Sequence, residues 1–131
     1  MEVFGHRGAK GVAMENSLYG FRIANQQGIN RFELDVRLSA DGQLMVVHDE
    51  KLDRLTDSPK LVSTTSAEDL ANIHLKGLEQ GIPTLEQVVL ACPDVQHWQF
   101  EIKTESTNIH FIRPMHSLIK QLKLEDKVTI T

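Results

Sequence analysis

The chain has 131 residues, 40% hydrophobic and 24% charged, with a formal net charge of −4. At roughly 150 residues per domain this is a single domain with enough apolar residue for a core, which excludes a disordered chain; the negative charge argues against nucleic acid or an anionic membrane surface as the main partner. A single cysteine, Cys92, excludes an intrachain disulfide framework and a Cys-rich zinc site, and no apolar run approaches the ~18 residues of a membrane span.

In chain order, Glu2 to His6 reads as a short strand entering a turn with Gly8 and Gly11. The start lacks the basic and apolar regions of a signal peptide, so the cytoplasm is the default compartment. A helix follows, capped by Asn16 or Ser17, with Leu18, Phe21 and Ala24 at helical spacing and Gly28 as its stop. Arg31 to Ser39 alternates polar and apolar residues, which is strand period. Asp41-Gly42 signals a hairpin, and Leu44 to His48 is the returning antiparallel strand.

Asp49 to Ile82 reads as irregular and polar, with a short helix near Ser66 to Asn72. A further helix is expected from Thr84 to about Ala91, between Pro83 and Pro93. Val95 or Trp98 to Lys103 reads as a strand. Asn108 to about Lys123 reads as a helix, with Pro114 as a kink or part of the first turn, and Lys127 to Thr131 as a last strand. Strands alternating with helices make this α/β with a parallel sheet. A complete eightfold barrel takes ~250 residues; this chain has about half that length.

The chemistry-bearing residues cluster at strand ends. Glu33 and Asp35, two apart on a strand, share a face and repel unless a cation sits between them. A hard divalent ion meets that need. A bare Glu-x-Asp is more commonly a wet strand face, but Glu101 and Lys103 end another strand in the same way. His6 and His48 are the acid/base candidates. With Asp41 and Gly42 as the two central turn residues, His48 lies opposite Asp35; a longer loop would shift that register.

Arg7 can fork onto phosphate oxygens, and together with Lys103 and a metal it makes an electropositive centre suited to a phosphate ester. His74, His97, His110 and His116 read as surface histidines and Cys92 as structural. Gly8 and Gly11 form no nucleotide-binding loop. Lys51, Asp53 and Arg54 read as loop solvation.

His6-Arg7-Gly8, Glu15-Asn16-Ser17, Glu33-Leu-Asp35-Val36, Asp41-Gly42, Val46-Val47-His48-Asp49, Leu52-x-Arg54-x-Thr56, Ile82-Pro83-Thr84-Leu85-Glu86 and Glu101-Ile-Lys103 together resemble the glycerophosphodiester phosphodiesterases. The resemblance implies a (β/α)8 TIM barrel with its site at the C-terminal strand ends, here the first four barrel strands plus a β-hairpin after the second. Residues 1–131 would be the N-terminal half of such a domain. The later strands, including an aromatic-rich one that lines the glycerol pocket, have no counterpart.

By the same resemblance Glu33, Asp35 and Glu101 would hold Ca²⁺ or Mg²⁺, and His6 and His48 would be the acid/base pair. Arg7 and Lys103 would bind phosphate. The substrate would be a small glycerophosphodiester, hydrolysed to glycerol 3-phosphate and an alcohol, with attack by the glycerol 2-hydroxyl as one route. Two other readings stay open: a phospholipase- or sphingomyelinase D-like enzyme with the same metal site, and a non-catalytic half-barrel. Four barrel strands leave two raw edges and an inner face that a closed barrel fills. An exposed apolar face that large is rarely tolerated in a soluble monomer, so these residues are expected either to be the ordered part of a longer chain or to pair through the inner face and edges with a second copy.

Overall fold

The computed structural model describes residues 4–8, 11, 13–103 and 109–131. The expected starts at Glu2, for the first strand, and at Asn108, for the last long helix, lie outside them. In chain order the elements are β1 (Gly5–His6), α1 (Leu18–Gln26), β2 (Arg31–Leu38), β3 (Leu44–Val46), α2 (Ala67–Ala71), α3 (Leu85–Ala91), β4 (His97–Ile102), α4 (Ile112–Gln121) and β5 (Val128–Ile130). β1, β2, β4 and β5 form a parallel sheet in that order. β3 runs antiparallel to the far end of β2. Val36 pairs with both Val46 and Ile102, so β3 lies on the edge of β2 opposite β4, beyond β1.

The helices begin where the sequence places their caps. The Ser17 hydroxyl accepts from Gly20 N at 2.9 Å and starts α1. Ser66 caps α2 through Asp69 N. Thr84 and Gln87 form a reciprocal capping box at α3. Pro114 lies in the first turn of α4, which follows directly on a 3-10 turn at Ile109–Phe111. Its missing N–H is one of the donors a first turn leaves unused, so no kink is required.

Strand alternation divides the sheet into two chemically different faces. Phe32, Leu34 and Val36 of β2 and Trp98 and Phe100 of β4 are buried against Phe21, Leu85, Val88, Phe111 and Met115 from the helices. Phe32 and Trp98 stack at 5.5 Å between ring centroids, with Phe21 edge-on to Phe32 at 5.3 Å. A chain with 5% aromatics thus concentrates them behind the central strands, where each ring buries the most area.

The opposite face carries Glu33, Asp35, Arg37, Gln99, Glu101 and Thr129. An apolar inner face, the expected driver of self-association, is therefore not what these strands present. Exposed apolar side chains lie instead on the helix side, at Ile112 and Ile130 beside the β5 edge.

Two further expectations are corrected. The hairpin pairs Leu38 with Leu44, Arg37 with Met45 and Val36 with Val46, one residue away from the expected register. Ser39 N donates to Gln43 O and Gly42 N to Ser39 O, so the loop is three residues, Ala40 to Gly42, with Gly42 at φ 80°. That is a type I turn closed by a left-handed residue rather than a two-residue turn.

The segment from Asp49 to Ile82 is irregular but not simply polar. Leu52, Leu55, Val62, Leu70, Leu75 and Ile82 join Met45 and Val47 in a second buried cluster. Apolar residues spaced by turns carry no periodicity, so they are invisible to a pattern search.

Gly81 is packed against the end of α2: a Cβ there would lie 2.1 Å from Ala71 O and 2.7 Å from Leu70 O, both backbone. Gly42 has open space but needs its positive φ. Gly81→Ala should therefore destabilise by about 3 kcal/mol through overpacking, against about 1–2 kcal/mol for Gly42→Ala. Urea unfolding of the two variants checks this, and the reverse ranking would contradict the packing.

Candidate metal and phosphate site

The site is built by register. β2 and β4 pair Asp35 with Glu101, and β1 and β2 pair His6 with Glu33. Glu33, Asp35 and Glu101 point to the same face, and each offers a carboxylate oxygen within 4.8 Å of the others. Asp35 is 1% exposed. Burial first, then the neighbouring Asp35 and Glu101 carboxylates, push Glu33 up from 4.5 to about 7. Glu101 is held below the ordinary range, mainly by Lys103.

Among the described residues, four buried side-chain polar atoms lack a hydrogen-bond partner: Arg7 Nε, Asn16 Oδ1, Glu33 Oε1 and Asp35 Oδ1. All four lie at this site. Native proteins satisfy such atoms, and the two carboxylate oxygens call for a cation. The donor set, three hard oxygens on two adjacent strands, fits Mg²⁺ or Ca²⁺.

The cations already present lie around the triad. Arg7 has φ 50°, a left-handed conformation uncommon outside glycine, and its N–H donates to Glu33 O at 2.9 Å. Its Nη1 donates to Glu15 at 3.1 Å. Its Nε stands 3.2 Å from Asp35 Oδ2, an ion pair without the alignment of a hydrogen bond. Lys103 Nζ is 2.7 Å from Glu101 Oε1 and 3.8 Å from Asp35 Oδ1. Both cations assigned to phosphate are thus held by the acidic cluster.

The histidines flank it. His6 Nε2 is 3.4 Å from Glu33 Oε2, on an exposed side chain. With the corrected register His48 is not paired with Asp35; Val47 N donates to Asp35 O instead. Arg37 brings His48 into place, its Nε donating to His48 O at 2.7 Å and its Nη1 reaching Lys103 O at 3.4 Å.

His48 Nδ1 is 2.8 Å from Asp49 Oδ1. Burial raises the Asp49 carboxyl, but Arg54 and His48 outweigh it and hold it below the ordinary range. An ionised carboxylate only accepts, so Nδ1 carries the proton and Nε2 is left for the site.

Five residues with structural parts here were not assigned to the site from sequence. Asn16, at φ 53°, donates to Asp35 Oδ2 at 3.1 Å. Glu15 ties Arg7 to Arg54. Asp49 and Arg37 position His48. Arg54 is corrected from loop solvation: its guanidinium lies on Asp49 and Glu15. The available signals were a carboxylate directly after a histidine and a carboxylate beside a helix cap.

Residues 6–130 match the Glycerophosphoryl diester phosphodiesterase family. The chain belongs to this family. It is 35% identical to a glycerophosphodiester phosphodiesterase of Bacillus altitudinis, over 99% of this chain and 57% of that protein. It superposes with a TM-score of 0.90 and 29% identity on a phosphodiesterase of Oleispira antarctica solved in complex with the product sn-glycerol-3-phosphate, covering 99% of this chain and 56% of that one. A glycerophosphodiester phosphodiesterase of Agrobacterium tumefaciens gives 0.86 and 28%, with 98% and 55% covered. The chain thus spans a little over half the length of these relatives. Its α/β fold with a parallel sheet matches part of their TIM-barrel structures, over about half their length.

Glu33 generates a pH dependence of stability. Its folded value lies above the unfolded one, so the native state keeps a proton that the unfolded chain releases between about pH 4.5 and 7. The stabilisation is full below that window and lost as the pH rises through it. The melting temperature of the EDTA-treated chain should therefore fall more steeply from pH 5 to 7 (roughly that window) in the wild type than in Glu33→Gln. Superimposable profiles would contradict the assignment.

Proposed function

We propose that this chain carries the metal-binding and proton-transfer half of a glycerophosphodiester hydrolase site, with products glycerol 3-phosphate and an alcohol. The observation that supports this best is the convergence of three carboxylates from β2 and β4, with Arg7 and Lys103 against them, His6 beside Glu33, and His48 tied to the Lys103 backbone through Arg37. Family membership and the product bound by the Oleispira antarctica relative point the same way.

Glu33, Asp35 and Glu101 would hold the divalent ion. When bound, that ion would offset the negative charge of the phosphodiester and polarise its oxygens. The remaining work falls to the chain's own groups. Arg7 and Lys103 would orient the phosphate, exchanging carboxylate partners for phosphoryl oxygens. His48, with its proton fixed on Nδ1 by Asp49, presents a basic Nε2. His6 presents a solvent-accessible imidazole beside Glu33. One takes the proton from the attacking oxygen, water or the glycerol 2-hydroxyl, and the other gives a proton to the departing alcohol oxygen; on the 2-hydroxyl route water then opens the cyclic phosphate to glycerol 3-phosphate with the two proton roles exchanged.

The test is release of glycerol 3-phosphate from a glycerophosphodiester, with Mg²⁺ or Ca²⁺ and with EDTA. Activity should require the ion, and His6→Ala and His48→Ala should each lower kcat by about 10²–10⁴-fold with the fold retained. Near-normal turnover in either variant would refute the proton-transfer roles. A cyclic phosphate as the end product would favour the lyase reading. No turnover by the folded wild type would favour the non-catalytic one.

A further inference from the structure

The segment between β3 and α3 is long for a connection and has its own buried cluster. Beyond His48 and Asp49, which open it, the segment makes firm contact with the site through Arg54. Arg54 lies in a 3-10 turn anchored by buried Leu52 and Leu55, and the Lys76 ammonium bonds the carbonyl oxygens of Asp53 and Arg54 at 3.5 and 3.3 Å. From that platform its guanidinium engages two carboxylates at once.

Arg54 Nε donates to Asp49 Oδ2 at 2.6 Å, and its Nη1 and Nη2 fork onto Glu15 at 3.0 and 2.9 Å. The other oxygen of Asp49 holds His48 Nδ1 at 2.8 Å. Glu15 holds Arg7 Nη1 at 3.1 Å, and Arg7 leans on Asp35. One guanidinium therefore sits at the junction of two paths, one ending on an imidazole and one on the arginine beside the triad.

We propose that Arg54 is a positioning residue that fixes His48 through Asp49 and Arg7 through Glu15. The roles of His48 and Arg7 rest on the hydrolytic reading above. Isolated surface ion pairs are weak, and the Arg54 side chain is 48% exposed, but Glu15 is only 5% exposed and is held bidentately. A planar fork with five donors can satisfy both carboxylates together. A lysine ammonium is a point charge and cannot span both. Position therefore depends on the guanidinium's shape and not only on its charge.

The test uses the ¹⁵N-labelled 131-residue chain as wild type, Arg54→Lys and Arg54→Gln. The protonated nitrogen of His48 is read by long-range ¹H–¹⁵N correlation at alkaline pH, where imidazoles are neutral. The wild type should show a single tautomer with the proton on Nδ1. Both variants should show a mixture, with Lys failing to rescue. Asp49→Ala, which cuts the same path one link nearer the ring, should do likewise and serves if Arg54→Gln melts early.

A locked Nδ1–H tautomer in folded Arg54→Gln, or in Arg54→Lys, would overturn the proposal. In the turnover assay both variants should lose about 10–100-fold in kcat, the scale for partners that orient a reacting group. An inactive wild type would contradict the hydrolytic reading, while the tautomer measurement would still decide the role of Arg54.

Discussion

Three carboxylates forced onto one face of two adjacent strands are the constraint on which the rest of the site depends. Parallel pairing sets Asp35 beside Glu101, and the two-residue period of β2 adds Glu33 to the same face. Like charges this close cannot all remain ionised without compensation. Each neighbour can be read as part of that compensation. Arg7 and Lys103 pair with the cluster, Asn16 donates to Asp35, and Glu33 retains a proton up to about 7. Among the described residues, four buried polar atoms remain unmatched at the same place.

The fold supports this arrangement by separating two chemistries across one sheet. On the helix side, Phe21, Phe32, Trp98 and Phe100 form a dense aromatic layer that holds β2 and β4 rigid. On the other side the same strands carry only polar and charged residues near the site. The strand register is therefore secured by burial on one face, and the charges on the other inherit its precision. Of the three non-glycine residues at positive φ among the described residues, two, Arg7 and Asn16, lie at the site end, bridged by a hydrogen bond from Asn16 N to Arg7 O. Strain held by its surroundings is a common mark of functional sites.

Much of this was legible in the sequence because it depends on local rules. Glu-x-Asp on an alternating strand must share a face, and Ser17, Ser66 and Thr84 announce their helices. The alternation of strands and helices, with Glu101 and Lys103 closing one strand, pointed to the sheet end where the structure gathers the three carboxylates. The hairpin register was missed because Asp41-Gly42 fits both a two-residue and a three-residue loop, and one residue moves His48 away from Asp35. The inner face was expected to be apolar because a closed barrel fills its interior with packed side chains. Here Glu33, Asp35, Arg37, Gln99 and Glu101 alternate regularly with the buried set. Arg54 was missed because its partners, Glu15 and Asp49, are brought to it by tertiary folding of a segment without periodicity.

The central claim is that Glu33, Asp35 and Glu101 form one divalent-cation site. Isothermal titration of the EDTA-treated chain with Mg²⁺ and with Ca²⁺ tests it most directly, with Asp35→Asn as the comparison because Asp35 is the most buried of the three. The account predicts one saturable site in the wild type and its loss in Asp35→Asn with the fold intact. Absence of binding to the folded wild type, or undiminished binding in Asp35→Asn, would contradict it.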